Sequence, residues 1–128
     1  MYVIIVIVLV YLGKQTYWLV NEGGNVIIYV CNSSNLDNVI IDIVIDDETV
    51  LTNSHSNKKL FDYKRVAIFK SFGKHEIKAV VQNKGIRTSE EFSVIGIKWL
   101  SVEFVNDEEN PSEFEIQLIV ESVPIDFE

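Results

Sequence analysis

Two groups of carboxylates are the residues best equipped for chemistry in this chain. Asp42, Asp46, Asp47 and Glu48 fall on one hairpin, and Asp107, Glu108 and Glu109 fall in a separate loop. All seven offer the hard oxygen ligands that Ca²⁺ prefers, yet their spacing matches no EF-hand loop. Turn carboxylates also serve solubility and protect sheet edges, which accounts for both groups without a metal. The seven stand as calcium candidates only, and no metal or cofactor is assigned. His55, between Ser54 and Ser56 and upstream of Asp62, completes the residue types of a hydrolytic triad. No nucleophile elbow, oxyanion-forming turn or nearby second histidine positions them, so no catalytic residue is expected. His75 reads as a corner or core histidine. Cys31 ends an apolar strand with no adjacent base and reads as a small buried hydrophobe. Trp18, Trp99 and Phe104 could receive a flat ligand such as a sugar ring, although strand aromatics usually belong to the core. Asn32-Ser33-Ser34 is a formal glycosylation acceptor.

These residues must be held by a single domain. The 128 residues are 48% hydrophobic and 23% charged, which fits one folded unit and excludes disordered, collagen-like and polytopic membrane chains. One cysteine permits neither an intrachain disulfide nor a cysteine-based zinc site, so apolar packing supplies the stability. A net charge of -8 disfavours nucleic acid and anionic lipid as nonspecific partners.

The amino terminus, MYVIIVIVLVYL, is the most hydrophobic stretch, and its first side-chain charge is Lys14. No basic residue precedes it and no small-residue cleavage pattern follows, so cleavage is not expected. As a helix, Met1 to Leu12 spans roughly 18 Å, short of a ~30 Å hydrocarbon core unless the segment runs to Val20 with Lys14 snorkelling. Tyr17 and Trp18 would then suit the interfacial belt. The β-branched content allows a second reading of residues 1–20, a buried edge or core strand. Glu22-Gly23-Gly24-Asn25 marks the start of the sandwich domain, residues 25–128.

From Val26 onward short apolar runs alternate with Asn, Ser, Asp and Gly clusters, an all-β pattern of eight to ten strands. Expected strands are Val26 to Cys31, Val39 to Ile45 with Ile41, Ile43 and Ile45 facing the core, and a short arm at Thr49 to Leu51. Thr52 to Lys59 is expected as loop. Weaker signals cover Leu60 to Tyr63 and Arg65 to Lys70. After Gly73, His75, Ile77, Ala79 and Val81 alternate with Lys74, Glu76, Lys78 and Val80 and are expected to face inward. Asn83-Lys84-Gly85 turns the chain into Ile86 to Val94. A hairpin over residues 97–127 pairs Ile97 to Val105 with Phe114 to Val120, and Val123 to Phe127 adds a short edge strand. Two packed antiparallel sheets follow, because one sheet would leave a hydrophobic face wet.

Gly73-Lys74-His75-Glu76-Ile77-Lys78-Ala79 resembles the Gly-x-His-x-Ile-x-Ala strand of bacterial extracellular immunoglobulin-like modules, including adhesion-related ones. Val26 to Cys31, the Asn32 loop and Ile41 to Leu51 are similar to the opening strand, loop and Asp-turn hairpin of those modules. The resemblance covers about residues 25–94. It implies an immunoglobulin-like antiparallel β-sandwich with an additional C-terminal hairpin. His75 would then take the tyrosine-corner place and Ile77 that of the second cysteine. No catalytic residue is carried over.

Charge is segmented: residues 1–57 net -5, residues 58–98 net +6, residues 101–128 net -9. The basic middle and acidic tail are expected to be solvated surface or to face one another or outside partners. Lys74, Lys78 and Arg87 can share an outer face, a modest patch and a poor nucleic-acid surface. The functional expectation is a noncatalytic interaction or structural module on the extracytoplasmic face of a cell membrane, or secreted, with a protein or surface-glycan partner. The alternative is a module that binds carbohydrate or calcium.

Overall fold

A run of β-branched residues with little polar alternation needs cover on both faces. The computed structural model, which describes residues 2–57, 63–82 and 84–123 with the side chains at 15 and 18–22 excepted, gives that cover to β1 (Val26–Asn32). After it come β2 (Val39–Ile45), β3 (Glu48–His55), β4 (Lys64–Ile68), β5 (Gly73–Val81), β6 (Ile86–Val94), β7 (Lys98–Asn106) and β8 (Phe114–Glu121). They form two four-stranded sheets, ordered β4-β1-β7-β8 and β3-β2-β5-β6. The protein is an all-β sandwich preceded by one helix, α1 (Tyr2–Glu22).

The inner faces follow the period-2 pattern of the sequence. Ile41, Ile43 and Ile45 of β2 and Ile77, Ala79 and Val81 of β5 are fully buried against Ile28 and Val30 of β1 and Leu100, Val102 and Phe104 of β7. Each large aliphatic side chain so buried contributes about 1.5–3 kcal/mol. Aliphatic contact does here what a cross-sheet disulfide does elsewhere.

Several expectations are corrected. The sandwich is not wholly antiparallel: β1 and β7 pair in parallel, from Val26 with Lys98 to Asn32 with Phe104. The C-terminal hairpin exists, and β8 closes the sheet edge, but β7 is an interior strand. On the outer face of that sheet Ile27, Ile97 and Trp99 form a second small cluster, so β1 and β7 are covered on both sides. The polar run at Thr52 is not all loop, since β3 continues to His55. An edge strand with one face in water accepts Thr52 and Ser54 outward while β2 satisfies its backbone. Val123 is not in a strand, and residues 124–127 of the expected last strand lie outside the described residues, as do 60–62 of the expected Leu60 strand.

Residues 2–22 are helical, so the strand reading of the amino-terminal segment is overturned. Strand preference of Val and Ile reflects fit to a pleated, packed surface. No described strand pairs with this segment, and a helix satisfies its own amides. Among the described residues no helix is long and apolar enough to cross a membrane. The apolar run stops at Leu12, where Gly13, Lys14, Gln15 and Thr16 follow.

Candidate functional site

Between helix and sandwich, Gly24 and Asn25 are fixed to the strands that follow. Gly23 ends α1 with φ +81°, a left-handed conformation that costs glycine little. Gly24 passes so close to β4 that a Cβ there would sit 2.6 Å from the Ile68 carbonyl oxygen. Asn25 then ties three segments together. Its backbone N–H donates to Ile68 O (3.0 Å), and its carbonyl accepts from Lys98 N (2.9 Å). Its side-chain Nδ2 donates to Lys70 O (2.7 Å), while Lys70 N donates to Asn25 Oδ1 (2.8 Å). The β4–β5 connection and the start of β7 are thereby fixed to the residue just before β1.

What those segments display is apolar. Phe69 and Phe72, in the β4–β5 connection, are 70% and 81% exposed, and Ile95, between β6 and β7, is 60% exposed. An open groove of about 330 Å³ at this end is lined by Tyr11, Phe69, Phe72, Val94, Ile97 and Asn25. Tyr11 comes from the helix, so the apolar helix and the apolar loops border one groove. Tyr2 to Leu12 are all exposed, with no polar residue among them to define a wet face. Thr16 Oγ donates to Leu12 O (2.8 Å), which satisfies that hydroxyl within the helix itself.

The same end holds the Asp46 turn. Asp46 and Asp47 have φ 49° and 66°, and Ile45 pairs with Glu48, so the two aspartates form a two-residue hairpin turn with both central residues left-handed. Asp46 Oδ1 accepts from Glu76 N (2.9 Å), and Asp46 Oδ2 accepts from His75 Nδ1 (2.5 Å) with Lys70 Nζ 3.8 Å away. His75 Nε2 donates to the Ser71 carbonyl (2.7 Å). Both ring nitrogens thus face acceptors, which favours the doubly protonated imidazolium. The hydrogen bond from His75 is the main cause holding the Asp46 carboxyl below the usual carboxylate range. That bond in turn raises His75 above the ordinary histidine value. His75 also contacts Phe92 (ring centroids 5.9 Å apart), so it links the β2–β3 turn, β6 and the loop that carries Phe72.

The calcium candidates are dispersed among such partners. Asp42 accepts from Thr52 Oγ (2.7 Å) and Gln82 Nε2 (2.7 Å), Asp47 faces Lys78 (3.4 Å), and Asp107 Oδ1 caps its own loop through Glu109 N (2.8 Å) and Asn110 N (3.2 Å). Glu48, Glu108 and Glu109 are exposed. Among the described residues no three His, Cys, Asp or Glu side chains gather as a metal site. His55 is 2% exposed, far from solvent, and Asp62 lies outside the described residues. Trp99 and Phe104 are buried, Phe104 stacked on Phe114, so neither offers a ligand platform. The side chain of Trp18 lies outside the described residues. Cys31 is buried, and desolvation pushes its thiol up. Lys78 and Arg87 border one shallow depression with Val80, Thr88 and Ser89, and Lys74 follows on the same face of β5.

The opposite end is a polar knot. Asn32 is 5% exposed; its Nδ2 donates to Leu36 O (2.7 Å) and His55 O (3.2 Å), and its Oδ1 accepts from Ser34 N and Oγ (3.0 and 2.6 Å). The glycosylation acceptor is therefore buried in hydrogen bonds. Asn106 joins in, accepting from Asn35 N (2.8 Å) and donating to Pro111 O (2.7 Å). Sequence reasoning missed Asn25, Phe69, Phe72 and Ile95. The available signal was Phe72 and Ile95 falling between expected strands, where alternation gives them no core position; Phe69 was hidden inside the expected Arg65 to Lys70 strand.

The fold defines a class: an all-β sandwich with an apolar helix leading into one end. No family model and no curated protein matches the chain.

Proposed function

We propose that this protein is a noncatalytic, immunoglobulin-like interaction or structural module held at a membrane by its amino-terminal helix and displayed on the extracytoplasmic face. The observation that carries the reading is the helix surface: Tyr2 to Leu12 are apolar on every side and between 47% and 87% exposed. A helix that is apolar all round needs an apolar surrounding on all sides, and lipid supplies one. The immunoglobulin-like reading is supported by strand order. β3-β2-β5-β6 follows the order C′-C-F-G, β1 beside β4 follows B beside E, and His75 bonds to the backbone four residues upstream as a corner residue on strand F would. The partner is a protein or a surface glycan. Vesicle flotation tests the tether: the whole chain should float with phosphatidylcholine vesicles, and a Val6→Lys/Leu9→Lys chain should stay below. A parent chain that stays in the aqueous layer would overturn the reading.

A further inference from the structure

We propose that the helix-proximal end of the sandwich itself rests in the lipid interface, with Phe69, Phe72 and Ile95 at the boundary between headgroups and acyl chains. This rests on the tether reading and goes further. A module could hang from its helix at any distance and orientation, whereas here one end is committed to the bilayer. The apolar surface is continuous from helix to loops. Tyr11, within the apolar run of the helix, lines the same groove as Phe69 and Phe72. Whatever medium covers the helix at Tyr11 therefore reaches those two rings. Exposed phenylalanines cost free energy in water and gain it at the acyl boundary. The loop is also held ready: Asn25 bonds to Lys70 in both directions and His75 bonds to Ser71, so little ordering is left for docking. In the acidic turn at this end Lys70 and His75 flank Asp46 and Lys78 faces Asp47 and Glu76, while Glu48 is exposed.

Depth-resolved quenching tests the proposal. A thiol-reactive dye is placed on the whole chain through Val8→Cys, Phe72→Cys or Glu109→Cys, all exposed positions, while buried Cys31 should take no label. Each variant is bound to phosphatidylcholine vesicles carrying nitroxide lipids. The Val8→Cys dye should lose emission to nitroxides deep in the acyl chains, the Phe72→Cys dye to nitroxides near the headgroup, and the Glu109→Cys dye to neither. A Phe72→Cys dye as unquenched as the Glu109→Cys dye, with the Val8→Cys dye still quenched, would overturn the proposal and leave the tether standing. Loss of quenching at Val8→Cys as well would remove the tether and the proposal together. Shielding of the Phe72→Cys dye without lipid, growing with protein concentration, would assign the surface to a second copy instead.

Discussion

The two ends of β1 solve the same problem with opposite surfaces. At each end an asparagine binds the neighbouring loops: Asn25 fixes the β4–β5 connection, and Asn32 fixes the loop from Ser34 to Leu36 together with the end of β3. Around Asn32 the surroundings are Asn, Ser and Asp, bonded to one another. Around Asn25 they are Tyr11, Phe69 and Phe72, with Ile95 in the β6–β7 connection, all exposed. Similar clamps hold unlike displays. The clamps serve the fold at both ends, and the difference in display is what the proposed lipid contact rests on.

Ile77→Asp would erase the comparison altogether. It buries an unpaired charge between the sheets, costs more than about 4 kcal/mol and should abolish the folding transition in circular dichroism. A variant that melts like the parent would mean the inward face of β5 does not form the core. The clamps then separate the ends. Asn32→Ala leaves the Leu36 and His55 carbonyls without their donor in a buried site and should cost about 2–3 kcal/mol by urea unfolding; the half-buried Asn25→Ala should cost about 1–2 kcal/mol. Equal losses would mean that the two clamps are buried alike.

The His75–Asp46 pair gives the helix-proximal end a pH dependence. His75, raised in the folded state, contributes fully below its unfolded value of about 6.5, and that contribution is lost as pH rises through the folded value. Asp46, lowered in the folded state, contributes above its unfolded value of about 4, and that contribution is lost as pH falls through the folded value. Both are complete from about pH 4 to about 6.5, where the melting temperature of the parent should exceed that of Asp46→Asn most, by the equivalent of about 1 kcal/mol. A gap between the two melting curves that does not vary with pH would exclude the ion pair. The smallest effect concerns the turn. Asp47 holds φ 66° with its side chain 88% exposed, so Asp47→Gly should stabilise by about 0.5 kcal/mol, read from the urea midpoint. Destabilisation would show that the Lys78 contact outweighs the backbone strain.

Much of the sandwich was legible because alternation is a local signal. Ile41, Ile43 and Ile45, and Ile77, Ala79 and Val81, mark inner faces through side-chain period alone, and Asp46-Asp47 marks its turn by residue type. The parallel partnership of β1 and β7 was not legible. It joins segments about seventy residues apart, and burial on both faces removes the alternation that would reveal an outer side. The helix was one of two readings because Val and Ile in an unbroken run suit either a packed strand or an apolar helix. The helix-proximal site was legible least. Its residues come from the helix, the β4–β5 connection and the β6–β7 connection, and only the fold brings Tyr11, Phe72 and Ile97 to one groove.

Amide hydrogen exchange of the whole chain on phosphatidylcholine vesicles, set against the Val6→Lys/Leu9→Lys chain in the same mixture, tests the division of the two ends most directly. Slower exchange is expected at Phe69 to Phe72 and at Ile95 to Ile97, with Ser33 to Asn38 and Asp107 to Asn110 unchanged. Slowing confined to the Asn32 end, or no difference between the ends, would contradict the proposed lipid contact.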